Sequence, residues 1–142
     1  MADGVPRISG QLESSLYVAD LDRSAAFYQR VLGLEVLLQE DRMVGLAVPG
    51  GSILLLFRTG GSAEPSEVPG GTIPAHDGHG TQHVCFAIPL GELAAWEQHL
   101  QAEGIAIESR VAPQSFGGTS LYFRDPDGHS LEVAVPGLWA TY

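Results

Sequence analysis

The sequence is built twice from one pattern. Glu13 to Ala19 alternates apolar and polar residues as a strand does, and Leu21 to Leu32 sets Leu21, Ala25, Tyr28 and Leu32 on one helical face. Strands are expected next near Leu34 to Glu40, Met43 to Val48 and Ser52 to Phe57. The series returns from His83, with a strand to Ile88 and a helix over Leu90 to Glu103 whose buried stripe is Leu93, Trp96 and Leu100. Strands near Ile105 to Val111, Thr119 to Arg124 and Ser130 to Val135 complete it. Asp20 suits a helix N-cap, Gly33 and Gly104 suit helix ends, and a Pro and Gly turn precedes the last strand of each half, "PGGS" at 49–52 and "DPDGH" at 125–129. The expected fold is α+β, with two strand–helix–strand–strand–strand modules over about 12–58 and 81–136 in one domain spanning 1–142.

Composition narrows the partners. Seven Lys and Arg against seventeen Asp and Glu leave a charge of −10, which opposes nucleic acid and anionic lipid and leaves a small molecule or another protein. No apolar stretch approaches the roughly 20 residues that cross a bilayer, and the N-terminus lacks a basic-then-apolar leader pattern, so the expectation is a cytoplasmic protein. The single Cys85 cannot form an internal disulfide, in keeping with a reducing compartment. Residues 59–80, rich in Gly and Pro, read as a linker or mobile loop. Its His76, Asp77 and His79 are potential metal ligands, but a solvated Gly-rich loop is too flexible to fix a coordination geometry.

Superimposing the halves isolates three residues. Placing Leu16 and Val18 on Phe86 and Ile88 sets Glu13 on His83, each on the face of its strand opposite the apolar one. In the last strand Leu131, Val133 and Val135 form the core face, so Glu132 points the other way from the middle of an apolar strand, where an unpaired charge is costly. If the two sheets meet edge to edge as a curved cup, Glu13, His83 and Glu132 line its concave side, and a divalent cation would satisfy all three. The plainer alternative leaves Glu13 at a frayed strand start, bonds His83 to backbone and pairs Glu132 with Arg124 or Arg110.

The paired modules, with "LYVADLDRSAAFYQRVLGLEV" early and "LYFRDPDGHSLEV" late, resemble the vicinal oxygen chelate superfamily of glyoxalase I, fosfomycin-resistance enzymes, extradiol dioxygenases and bleomycin-resistance proteins. The resemblance covers about 12–135. It implies two βαβββ modules forming a half-barrel around a metal whose ligands, carried over by position, are Glu13, His83 and Glu132. Two departures stand out. Family members often have His or Gln where Glu13 stands, and the fourth ligand of glyoxalase-type sites falls in "SILLLF", on Leu54 or Leu55. The set therefore matches the three-ligand relatives, whereas bleomycin-type binders do without a metal.

Three protein ligands leave room for water or for two neighbouring substrate oxygens, so the ion would act as a Lewis acid on an enolate, epoxide or catecholate. Two carboxylates favour Mn²⁺ or Fe²⁺ without excluding Zn²⁺ or Ni²⁺. Tyr122 is expected to face inward as a proton or hydrogen-bond donor, and Ser15, Tyr17 and Cys85 to line the substrate pocket. His129 reads as a turn residue and His99 as solvated. Trp139 and Tyr142 suit a pocket cap or a subunit contact, and two-module relatives commonly form homodimers. The expected function is a metalloenzyme acting on a small oxygen-rich molecule, by lyase, isomerase, resistance-transferase or ring-cleavage chemistry. The alternative is a metal-free protein that sequesters a small molecule.

Overall fold

A computed structural model describes residues 4–112 and 118–142. The first sheet is built from β1 (Glu13–Val18), β2 (Glu35–Gln39), β3 (Met43–Val48) and β4 (Ser52–Arg58), in the order β1-β4-β3-β2, with β1 parallel to β4 and the others antiparallel. The hairpin β5 (Ser66–Val68) and β6 (Gly71–Ile73) follows. The second sheet uses β7 (His83–Ala87), β8 (Ser109–Val111), β9 (Ser120–Arg124) and β10 (Ser130–Ala134) in the order β7-β10-β9-β8, again with its outer first strand parallel to its last. The expected repeat is thus present strand for strand. The sheets are open and separate: among the described residues no ladder joins one to the other.

Helix α1 (Leu21–Leu32) has the expected limits because both ends are chemically marked. The Asp20 carboxylate accepts from the Arg23 N–H at 3.0 Å, and Gly33 closes the helix at φ 67°, donating to Gln29 O while Leu34 donates to Tyr28 O. Helix α2 (Leu93–Ala102) starts three residues later than its pattern suggests. Gly91, at φ 89°, turns the chain at Pro89–Glu92, the Glu92 N–H bonds Pro89 O, and Leu90 is left exposed. Strand β8 also begins late, because the Ile105 N–H is spent on Leu100 O in closing α2, although Ile105 and Ile107 still pack against the core.

One apolar core runs through both modules and includes Leu16, Val18, Tyr28, Leu46, Leu56, Leu121, Phe123 and Leu131. Each such side chain contributes about 1.5–3 kcal/mol on burial. Polar groups fix the modules to each other. The Tyr28 hydroxyl donates to Asp125 Oδ2 at 2.8 Å, and Asp127 accepts from the Ala19 N–H and the Ser24 hydroxyl. Burial, then the Asp125 charge, pushes the Tyr28 hydroxyl far above the usual tyrosine range, so it stays a donor. His129, expected as a plain turn residue, is buried between the modules: its Nδ1 accepts from the Gln82 N–H at 2.9 Å and its Nε2–H donates to Tyr17 O at 2.8 Å. His99 is likewise half-buried rather than solvated, bonding Val31 O at the end of α1 and meeting Trp96 edge to face.

The segment 59–80 folds back on the first sheet. The His76 N–H bonds Ser62 O, Asp77 accepts from the Gly60 N–H, and Gly78 lies flat on the Tyr17 ring, where an added Cβ would come within 2.5 Å of Tyr17 Cδ2. The expectation of a free loop missed these anchors because two join residues 14 and 17 positions apart within the segment and the third is on Tyr17, far from it in sequence.

Candidate active site

Strand register fixes which residues of the two modules correspond. Glu13 pairs with Ile53 across β1 and β4, and His83 with Ser130 across β7 and β10. Two residues along, Ser15 pairs with Leu55 and Cys85 with Glu132. Leu55 is therefore the counterpart of Glu132, whereas Leu54 is buried in the core. The position open between the two leucines in the sequence is settled by the ladder.

On the second sheet a polar centre forms around Glu132. Its side chain is 5% exposed, its Oε2 lies 3.3 Å from His83 Nε2, and its Oε1 is buried without a hydrogen-bond partner. Among the described residues no arginine reaches it, because Arg124 is held by Glu108 and Arg110 by Glu97. His83 Nδ1 lies 2.9 Å from Ser130 O, and a carbonyl only accepts, so this nitrogen carries the proton. The remaining Nε2 lone pair of a neutral ring then faces a carboxylate oxygen, an arrangement that calls for a proton or a cation between them. Tyr122, opposite Glu132 in the β9–β10 ladder, stacks on His83 with ring centroids 6.1 Å apart. Partial burial and then the Glu132 charge raise its hydroxyl, and the same two causes push the Cys85 thiol up to about 12. Tyr122 is thereby kept as a hydrogen-bond donor and Cys85 as a neutral thiol rather than a nucleophile.

Glu13 is exposed and stands apart from this centre, and among the described residues no three potential ligands form a group that could hold an ion. It does share with His83 and Cys85 a groove of about 320 Å³ between the modules. Glu13, Ser15 and Tyr17 also line a larger cavity of about 720 Å³ on the first sheet, walled by Leu37, Leu38, Ile53, Leu55 and Phe57. The expected pocket residues are thus divided: Ser15 and Tyr17 lie on one sheet, Cys85 and Tyr122 on the other. Sequence reasoning missed His76, whose Nδ1 is 2.8 Å from the Tyr17 hydroxyl and whose ring meets Phe57 edge to face at 4.4 Å. The signal available for it was the short "HDGH" run, and nothing in that run points to Tyr17.

Residues 9–133 match the profile of the Glyoxalase/Bleomycin resistance protein/Dioxygenase superfamily. The chain belongs to this superfamily. A lactoylglutathione lyase structure from Agrobacterium tumefaciens superposes with a TM-score of 0.84 at 34% identity, over 94% of this chain and 98% of that one. The lactoylglutathione lyase of Haemophilus influenzae is 31% identical over 85% of this chain and 88% of its own length. The metallothiol transferase FosB of Bacillus licheniformis is 28% identical over 82% and 68% respectively. These superfamily relatives include both a lyase and a transferase, so membership alone leaves the reaction open. Among the described residues no helix is long and apolar enough to cross a membrane.

Proposed function

We propose that the protein is a metal-dependent enzyme whose ion is held by His83 and Glu132 of one chain and Glu13 of a second copy, and that it acts on a small molecule presenting two neighbouring oxygens. The observation that carries this reading is Glu132, a buried carboxylate whose Oε1 has no hydrogen-bond partner among the described residues and whose Oε2 lies 3.3 Å from His83 Nε2, a pair that needs a proton or a cation between them. A buried charge left so would be strongly unfavourable, and a divalent cation satisfies both groups at once. An Nδ1–H donating to a backbone carbonyl is also how a metal-binding histidine is commonly oriented. The Glu13 side chain makes no hydrogen bond or ion pair among the described residues and does not complete the group within its own chain, which favours a homodimer in which it does so across the interface.

When bound, the ion would polarise a substrate oxygen and leave positions for a second. The chain's own residues do the rest. Tyr122 holds its proton beside Glu132 and donates to an oxyanion forming there. Leu55, in place of a fourth ligand, keeps a carboxylate away from the incoming oxygens. Mn²⁺ or Fe²⁺ suits one imidazole and two carboxylates, with Zn²⁺ and Ni²⁺ as further candidates. The second reading is a metal-free binder, favoured by the apolar walls of the large cavity.

Titration calorimetry of chelator-treated protein with Mn²⁺, Fe²⁺, Zn²⁺ and Ni²⁺, followed by a bidentate probe such as catechol, tests both readings. One ion per chain, with catechol affinity that depends on it, is the expected result. Absence of stoichiometric binding by any of the four ions overturns the enzyme reading.

A further inference from the structure

The large cavity has two chemically distinct ends. Glu13 and Tyr17 lie on the same face of β1, four residues apart, so they are separated by roughly 13 Å along the strand. Between them Ser15 faces the cavity and the rest of the wall is largely apolar, formed by Leu37, Leu38, Ile53 and Leu55. At the Tyr17 end the polarity returns. His76, brought in from residues 59–80, pairs its Nδ1 with the Tyr17 hydroxyl at 2.8 Å and lines the cavity, and its ring makes no other hydrogen bond among the described residues.

The pair is built rather than incidental. The Tyr17 carbonyl is held by the buried His129, the His76 ring sits edge to face on Phe57, and the His76 N–H is tied to Ser62 O. Gly78 leaves no space above the Tyr17 ring. Whichever partner donates within the pair, one N–H or O–H remains over: Tyr17 donating to Nδ1 leaves the proton on Nε2, and an Nδ1–H donating to Tyr17 leaves the hydroxyl hydrogen free. The pair thus keeps one uncommitted donor in the cavity, beside the Arg42, Ser62, Glu64 and Ser66 that also line it.

We propose that Tyr17 and His76 are a specificity-determining pair that recognises a hydroxyl or carbonyl at the distal end of an extended, largely apolar ligand. Resting on the metal reading above, this places the ligand's neighbouring oxygens at the Glu13 end and its polar tail at His76. The class is a two-ring or similarly long molecule with a single neutral polar group opposite its oxygen pair, not a small compact anion.

Two probes test it: 4-(4-hydroxyphenyl)catechol, which carries the distal hydroxyl, and 4-phenylcatechol, which lacks it. Calorimetry on the Mn²⁺-loaded protein is expected to show an affinity ratio of about 3- to 10-fold in favour of the hydroxylated probe, the range of one neutral hydrogen bond. The double variant Tyr17→Phe with His76→Phe, which keeps both rings and removes both donors, should bring the ratio to about 1. Gly78→Ala, which displaces the Tyr17 ring without touching the ligand, should reduce the ratio in the same direction. Chelator-treated protein should bind both probes more weakly while keeping the ratio.

Each failure has its own signature. Affinities unchanged by metal removal, with the ratio intact, would overturn the metal reading and leave the recognition pair standing. A wild-type ratio near 1, or a ratio that survives the double variant in a protein folded by circular dichroism, would overturn the pair.

Discussion

The two modules share a backbone and divide the chemistry. Their inner ladders correspond residue for residue, yet where the second sheet sets Glu132, Tyr122 and Ala134, the first sets Leu55, Gly45 and Phe57. One sheet gathers a carboxylate, an imidazole and a phenol around a buried charge, and the other lays out a largely apolar wall with a polar group at each end. A duplicated scaffold can therefore give its two copies different linings, since residues facing away from the core are free to change while the core face is not.

The sharpest way to break this comparison is to remove the centre from one sheet only. His83→Ala or Glu132→Gln should lower metal affinity by more than about 100-fold, because even residues that merely orient a ligand are worth 10–100-fold, whereas Leu55→Ala should leave it within a few-fold. Equal losses in all three variants, measured by elemental analysis after dialysis, would erase the distinction between the modules.

Next in size is the seam between them. Tyr28→Phe removes the hydroxyl that Asp125 accepts in a buried setting and should cost about 1–3 kcal/mol in urea unfolding. Since Tyr28 belongs to the first module and Asp125 to the second, the loss should appear in a single transition; two separated transitions would mean that the modules unfold independently.

Mixing Glu13→Ala with His83→Ala protein asks whether the site is shared between chains. Randomly formed heterodimers place one intact site in half of the dimers, so about a quarter of the wild-type metal content should return. No recovery after mixing under exchange conditions would assign Glu13 to its own chain's site.

The smallest effect is on Cys85. In metal-free protein its thiol, raised from 9.0 to about 12 by partial burial and then by the Glu132 charge, should alkylate with iodoacetamide at a rate that climbs only well above pH 9. Glu132→Gln removes the second cause, so the profile should move to lower pH. The linkage has the matching sign: a raised pKa means that the stability tied to the neutral thiol is complete below pH 9 and is lost as the pH rises towards 12.

The repeat, the limits of α1 and the α+β class were legible in the sequence because each depends on neighbours a few residues away: apolar alternation, an N-cap aspartate, a left-handed glycine. Glu13, His83 and Glu132 were legible as odd residues on the polar faces of strands, since a strand's period of two is a local property. Whether they meet was not. Tertiary structure alone brings Glu132 to His83, withholds both arginines from it, and leaves Glu13 across a groove. It alone decides that Leu55 rather than Leu54 answers to Glu132, because register belongs to a strand pair and not to a strand. And it alone carries His76 to Tyr17 across 59 positions of the chain, by a Gly-rich segment whose anchors are long-range and leave no local periodicity to read.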